Sequence, residues 1–312
     1  MATETIVGSL EVPAFESHRW TSVLSDYWAL TKPEVNFLIL VTALAGFYLG
    51  RAAEGLDFPF SLAVSALFGT SLVASGTGTL NQYIERDFDA LMRRTARRPL
   101  AAGRLKPRAV LLFGIALSVT GAAYLALAVS PLASLLAVVT LLSYLFFYTP
   151  LKRRSPLCML VGAFPGAMPP LIGWAAATGS LSLQAWTLYA MLFLWQFPHF
   201  MAIAWMYRED YHRAGYLVLP QDQRPRLVAM GLQTLFPLLA LVPLSLLPVV
   251  WGRSSTLYLV GALLLSLSFL YFGTRFLFAR TSSAARRLLT ASIIYLPLLF
   301  ALMTFARALQ RG

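Results

Sequence analysis

Long apolar blocks separated by short polar joints set the pattern of this chain. Nine of them hold enough residues for a bilayer crossing, which takes roughly 20 predominantly apolar residues in a helix. They fall at about 35–53, 60–82, 108–128, 131–150, 157–177, 185–206, 228–251, 256–278 and 287–306. No stretch shows the apolar–polar alternation of a half-buried strand. Because only helices and closed barrels satisfy every backbone polar group in lipid, the pattern predicts an all-α fold, a polytopic membrane bundle of about nine transmembrane helices. Residues 1–30 are more polar, with Glu4, Glu11, Glu16, Arg19 and Asp26, and lack the short apolar core and small-residue cleavage site of a removable signal peptide. The expected division is a polar cytoplasmic segment over 1–30 and one intramembrane domain over 31–312.

Composition agrees with this reading. Of the 312 residues 58% are hydrophobic and 12% charged, about half the charged share of an ordinary soluble domain. The formal charge of +12 does not call for a nucleic acid, since it sits in alternate joints. With the N-terminus in the cytoplasm, only Arg51, Arg253, Arg307 and Arg311 of the 25 Lys and Arg residues fall on the outer side. That asymmetry follows the positive-inside rule and makes the lipid bilayer the partner of the charge pattern. The single cysteine, Cys158, lies in an apolar run, forms no intrachain disulfide and reads as packing.

The acids carry more information than the bases, whose placement topology alone explains. Six of the 13 form two clusters, Glu85, Asp87 and Asp89 after the second block and Glu209, Asp210 and Asp222 after the sixth, both on the inner side. On a continuing helix Asn81, Glu85 and Asp89 lie within about 80° of one another, and Asp87 points the opposite way unless the helix unwinds before it. Three oxygen-bearing side chains on one stripe suit Mg²⁺, which prefers hard oxygen ligands and shares them with substrate phosphates. The plain alternative is a solvated helix end paired with its own arginines. The second acidic helix end weighs against that, because two such ends facing one cavity are what a metal-bridged diphosphate requires. Arg93, Arg94, Arg97, Arg98, Lys152, Arg153 and Arg208 stand near these ends as candidate phosphate ligands, or as charges that only set topology. His199 lies eleven residues before Asp210 on the same helix face, about 16 Å away along the axis. The glycines of SGTGT, residues 75–79, lack a following Gly-Lys-Ser/Thr and read as helix packing. Pro169 and Pro170 mark a helix break.

Together these motifs resemble the protohaem IX farnesyltransferase (haem O synthase) branch of the intramembrane polyprenyltransferase superfamily, which also includes 4-hydroxybenzoate polyprenyltransferase. The resemblance covers most of the chain from Tyr27 and rests on LTKPEV (30–35), NQYIERDFDALMRRTARRPL (81–100), YTPLKRRS (148–155), GAMPPLIGW (166–174), WQFPHF (195–200) and EDYHRAGYLVLP (209–220), in that order. It implies that Asn81, Glu85 and Asp89, with Asp210, hold Mg²⁺ on a prenyl diphosphate. Glu85 replaces the usual Asp of that motif, and Asp87 belongs to the denser acidic form of the haem branch. The quinone-making relatives carry a second aspartate where Ala214 stands here, which favours the haem branch. Glu34 sits where a basic residue is more common and has no assigned role.

The resemblance further implies farnesyl diphosphate and haem B as substrates, a cavity open to the cytoplasmic side of a bacterial inner membrane, and a downstream haem-modifying enzyme as a further partner. Asn81, Glu85, Asp89, Asp210 and Lys152 are then the expected catalytic residues. Asp87, Arg93, Arg97, Tyr148, Arg153, His199, Arg208 and Tyr211 are expected to bind substrate, with Tyr148 and Tyr211 offering ring faces to an allylic cation and His199 touching the acceptor. The rival readings are a sister enzyme that prenylates an aromatic acid or quinone precursor, and a transporter, whose intramembrane charges lie near mid-bilayer rather than at one face.

Overall fold

The computed structural model describes residues 15–220, 222–250 and 256–309, and among them there are helices and turns but no strand. Nine helical stretches of the described residues are long and apolar enough to cross a membrane, from Pro33–Ala53 to Ser282–Ala306. Each overlaps one of the nine apolar blocks, with the largest departures at the end of the second span and the start of the last. The second half of the polar N-terminal segment is itself a helix, α1 (Phe15–Leu30). The joint holding Arg253, the end holding Arg311, and Glu4 and Glu11 lie outside the described residues.

The first two spans are α2 (Pro33–Ala53) and α3 (Phe60–Asp89). The α3 helix does not stop where its apolar block ends. It runs seven residues further because Asn81, Gln82, Glu85 and Asp89 are all buried, so its polar end is packed into the bundle instead of fraying in solvent. After α4 (Pro107–Ala128), the next span begins as α5 (Pro131–Leu142), widens into a π-helical turn over Ser143–Tyr148 and closes as α6 (Thr149–Leu151). The fifth span is two helices, α7 (Cys158–Gly166) and α8 (Pro169–Thr178), broken where the two prolines remove backbone donors. Then come α9 (Leu183–Met206), the short α10 (Arg208–Arg213), and the last three long helices α11 (Gln223–Val250), α12 (Thr256–Ala279) and α13 (Ser282–Leu309).

Helix α8 forms the centre of the core, with Leu171, Trp174 and Ala175 fully enclosed. It lies directly on α2: a Cβ added at Gly173 would strike the carbonyl oxygen of Ala43, and one at Gly46 that of Pro170. Small residues permit this backbone approach where the surrounding lipid gives helices no hydrophobic reason to associate. Gly173→Val is therefore expected to cost about 3 kcal/mol or more, the upper end of overpacking penalties, since backbone and not a side-chain tip must move. The melting temperature in detergent checks this, with Gly231→Ala, which meets nothing within 4 Å, as the neutral comparison. The outward faces carry Phe68, Leu127, Phe146 and Phe278, all more than half exposed, a surface suited to acyl chains and not to water.

Candidate active site

Four chain segments meet at one end of the bundle: the start of α2, the end of α3, the turn after the π-helix, and the junction of α9 with α10. The α3 stripe is the floor. Asn81, Glu85 and Asp89 are 2%, 5% and 1% exposed, whereas Asp87 is exposed on the other side and pairs only with Arg86 at 3.6 Å. An unbroken helix separates them as its 100° step demands.

Each stripe residue meets a cation or donor from another segment or from the following turn. Lys152 Nζ lies 2.7 Å from Glu85 Oε1. Arg98 Nη1 donates to Asp89 Oδ2 at 2.6 Å, and Asp89 Oδ1 is buried without a hydrogen-bond partner among the described residues. Lys32 Nζ donates to Asn81 Oδ1 at 3.0 Å. Lys32 is the residue before α2, left-handed at φ 52°, a conformation that costs a non-glycine residue about 1–2 kcal/mol and persists only where the surrounding structure over-determines it. Burial first, then the charge of Arg98, pulls its ammonium down to about 7. Burial also opposes the charge on Lys152, but Tyr148 and Glu85 beside it outweigh that and hold its pKa well above the ordinary value.

Aromatic rings close the chamber around these charges. Lys152 Nζ sits 4.6 Å from the Tyr148 ring centre and 6.0 Å from that of Tyr216. Tyr216 in turn lies 6.1 Å from Phe88 and 6.0 Å from Tyr211, so it joins the end of α3 to α10. Burial, then the Glu85 carboxylate, raises the Tyr216 pKa, and the phenol keeps its proton. The Leu217 amide donates to the Lys152 carbonyl at 2.7 Å, and the Arg94 guanidinium stands 5.1 Å over Tyr207.

Not every residue expected at the site is brought into it. Arg93 and Arg97 are exposed; the arginine that turns inward is Arg98, because the turns after α3 no longer follow helical spacing. Arg153 is exposed too, stacked 4.1 Å over Phe88 at the rim. Arg208 folds back on the end of the preceding helix α9, donating to the Trp205 carbonyl at 2.8 Å. Asp210 comes to the same end of the bundle but pairs with Arg213 at 3.3 Å. Among the described residues no three of His, Cys, Asp and Glu gather closely enough to hold a metal ion by themselves. Lys32, Thr149 and Tyr216 are site residues that the spacing argument missed, and Arg98 is the one among four neighbouring candidate arginines that it could not single out, although all of these stand inside the quoted motifs.

His199 is in the second half of α9, stacked on Trp195 with ring centres 4.6 Å apart. Its Nδ1 is 2.7 Å from Ser292 Oγ, and that hydroxyl already donates to the Leu289 carbonyl at 2.6 Å. A serine has one proton to give. With that proton committed, Ser292 Oγ accepts from Nδ1–H, and the neutral tautomer that fits this bond carries its lone pair at Nε2.

The model of the UbiA prenyltransferase family matches residues 35–304. Among curated proteins, the protoheme IX farnesyltransferase of Solibacter usitatus is 48% identical over 290 residues, 91% of this chain and 99% of that protein. The protein of the same name from Koribacter versatilis is 41% identical over 299 residues, covering 92% and 95%. Among solved structures, an apo UbiA homolog from Aeropyrum pernix K1 superposes with a TM-score of 0.65 at 22% identity, covering 84% of this chain and 97% of its own. A UbiA homolog from Archaeoglobus fulgidus bound to GPP and Mg²⁺ superposes with a TM-score of 0.60 at 16% identity, covering 89% and 99%.

Proposed function

Since the chain belongs to the UbiA prenyltransferase family, we propose that it transfers the farnesyl group of farnesyl diphosphate to a vinyl group of haem B, with addition of water, giving haem O and diphosphate. The observation that carries the chemistry is the buried stripe of Asn81, Glu85 and Asp89 faced by Lys32, Lys152 and Arg98. The relatives named for this reaction align over more than nine-tenths of the chain, and Ala214 stands where the quinone-making relatives carry an aspartate. In a transporter the charges of the binding site lie near mid-bilayer, whereas here the carboxylates and cations gather at one end of the bundle.

The stripe fits Mg²⁺ by its chemistry: the donors are all oxygen, and Asp89 Oδ1 is a buried acceptor with no partner. With so few acids gathered, the ion would share its ligands with the substrate phosphates, as Mg²⁺ prefers. Asn81, Glu85 and Asp89 would hold it, with Asp210 as the ligand from the second helix end. Bound there, it supplies a positive charge that stabilises the departing diphosphate.

The protein's own cations share that task. Lys152, Lys32 and Arg98 grip the phosphate oxygens and stabilise the negative charge that grows there as the carbon–oxygen bond breaks. The faces of Tyr148, Tyr211 and Tyr216 steady the allylic cation, and the apolar walls exclude water until the vinyl group has attacked it. No protein nucleophile takes part. For the acceptor, an imidazole with its lone pair at Nε2 suits the haem iron; a propionate would need a donor. His199→Ala is thus expected to abolish the shift in the haem Soret band on binding and to weaken haem affinity by about tenfold or more, and an unchanged spectrum would return His199 to a packing role.

The test of the reaction is direct. Purified protein in detergent with Mg²⁺, farnesyl diphosphate and haem B should yield haem O by mass spectrometry. Absence of haem O, with 4-hydroxybenzoate prenylated instead, would replace this reading by the sister reaction.

A further inference from the structure

Asn81 has to present its carbonyl oxygen, and not its amide nitrogen, to a cation, yet the two ends of that side chain have nearly the same shape. The structure shows what decides between them. Asn81 Nδ2 lies 3.2 Å from Thr149 Oγ1, and Thr149 Oγ1 donates its proton to the Tyr144 carbonyl at 2.9 Å. A threonine hydroxyl has one proton to give and a carbonyl has none. Toward Asn81, therefore, Thr149 can only accept, and only the nitrogen end of the amide can face it. On the far side Lys32 Nζ donates to the oxygen end at 3.0 Å, the arrangement that the Thr149 acceptor requires. The pair of constraints admits one orientation.

The π-helix is the reason that Thr149 sits so. Its wide turn bonds each N–H to a carbonyl five residues back, and the Thr149 amide accordingly reaches the Tyr144 oxygen, the same atom that takes the hydroxyl proton. Both donors of Thr149 are thus anchored on one carbonyl, and Thr149 itself stands 68 residues along the chain from the side chain it orients. Thr149 is 3% exposed, and water does not compete for the bond. Single π-helical turns inside α-helices recur at functional sites.

We propose that Thr149 is a positioning residue that fixes the Asn81 amide with Oδ1 toward the metal–diphosphate, an inference that rests on the magnesium reading above. Thr149→Val keeps the shape and removes the acceptor. The Asn81 amide is then free to invert, and for part of the time it turns N–H donors toward a cation. Thr149→Ser keeps both the acceptor and the bond to Tyr144.

The experiment uses the full chain in detergent and ³²P-labelled inorganic diphosphate, with binding measured in Mn²⁺ and again in chelator. The readout is the gain in diphosphate affinity that the metal brings. Thr149→Val should cut that gain about tenfold, in the range of outer-shell substitutions at metal sites, and Thr149→Ser should keep it within about twofold. Metal-free binding should be unchanged in both. A Val variant with the full gain, a Ser variant as poor as the Val variant, or an equal loss of metal-free binding would each overturn the inference. A wild-type chain with no metal-dependent gain would remove the magnesium reading itself, whereas failure to form haem O would bear only on the acceptor.

Discussion

Asp89→Asn is expected to lower the rate of haem O formation by about 10²- to 10³-fold, the loss seen when one pre-organised stabiliser of transition-state charge is removed, while Asp87→Asn changes it by less than about twofold. Two residues apart on one helix, the two carboxylates occupy different environments. Asp89 is 1% exposed, gives one oxygen to Arg98 at 2.6 Å and keeps the other buried without a partner. Asn has the same outline but no charge, and its amide protons would face either Arg98 or the bound cation. The fold should survive the change, because the Arg98 side chain is 25% exposed and turns to water once its partner is neutral. The Asp87 side chain is 73% exposed and holds Arg86 at 3.6 Å, a surface pair of the kind worth about 0–1 kcal/mol. The measurement is turnover with a melting curve beside it. Equal losses at both positions would mean that the stripe does not define the site.

Lys152→Met is the second large effect, and it combines two losses that a third variant separates. The Lys152 and Glu85 side chains are 13% and 7% exposed and meet at 2.7 Å. Removing one partner of a buried pair strands the other charge and costs about 3–5 kcal/mol. It also takes away a cation from the leaving diphosphate, for a further loss in rate of about 10²-fold or more. In Lys152→Met with Glu85→Gln no charge is stranded, so the melting temperature should return most of the way to wild type. Turnover should not, since neither the cation nor the metal ligand is restored. A double variant that recovered turnover would reduce the pair to a structural tie.

The spans were legible in the sequence because lipid sets a length that an apolar run must meet. The face of α3 was legible as well, because helical rotation separates Asp87 from its neighbours whatever lies around them. Arg98 shows where that reasoning stops. It differs from Arg93 and Arg97 only through turns whose geometry no fixed period describes. Lys32 could be counted as a topology charge, but its reach to Asn81, 49 residues later, depends on a left-handed backbone that a lysine does not announce. The bond from His199 to Ser292 spans 93 residues, and the π-helical turn has no periodic signature, so the orientation of both the imidazole and the Asn81 amide emerges only from the packed bundle.

Helix α3 has 30 residues and is therefore about 45 Å long, against a hydrocarbon slab of about 30 Å. Standing upright, a rod of that length would outrun the oily layer, and its last two turns, where Glu85 and Asp89 stand, would reach the depth of the lipid headgroups. A substrate with an ionic head and a long greasy tail already lies at that depth with its two halves sorted. An approach along the plane of the bilayer would keep such a substrate at one level, its phosphates outside the oil and its prenyl chain out of water.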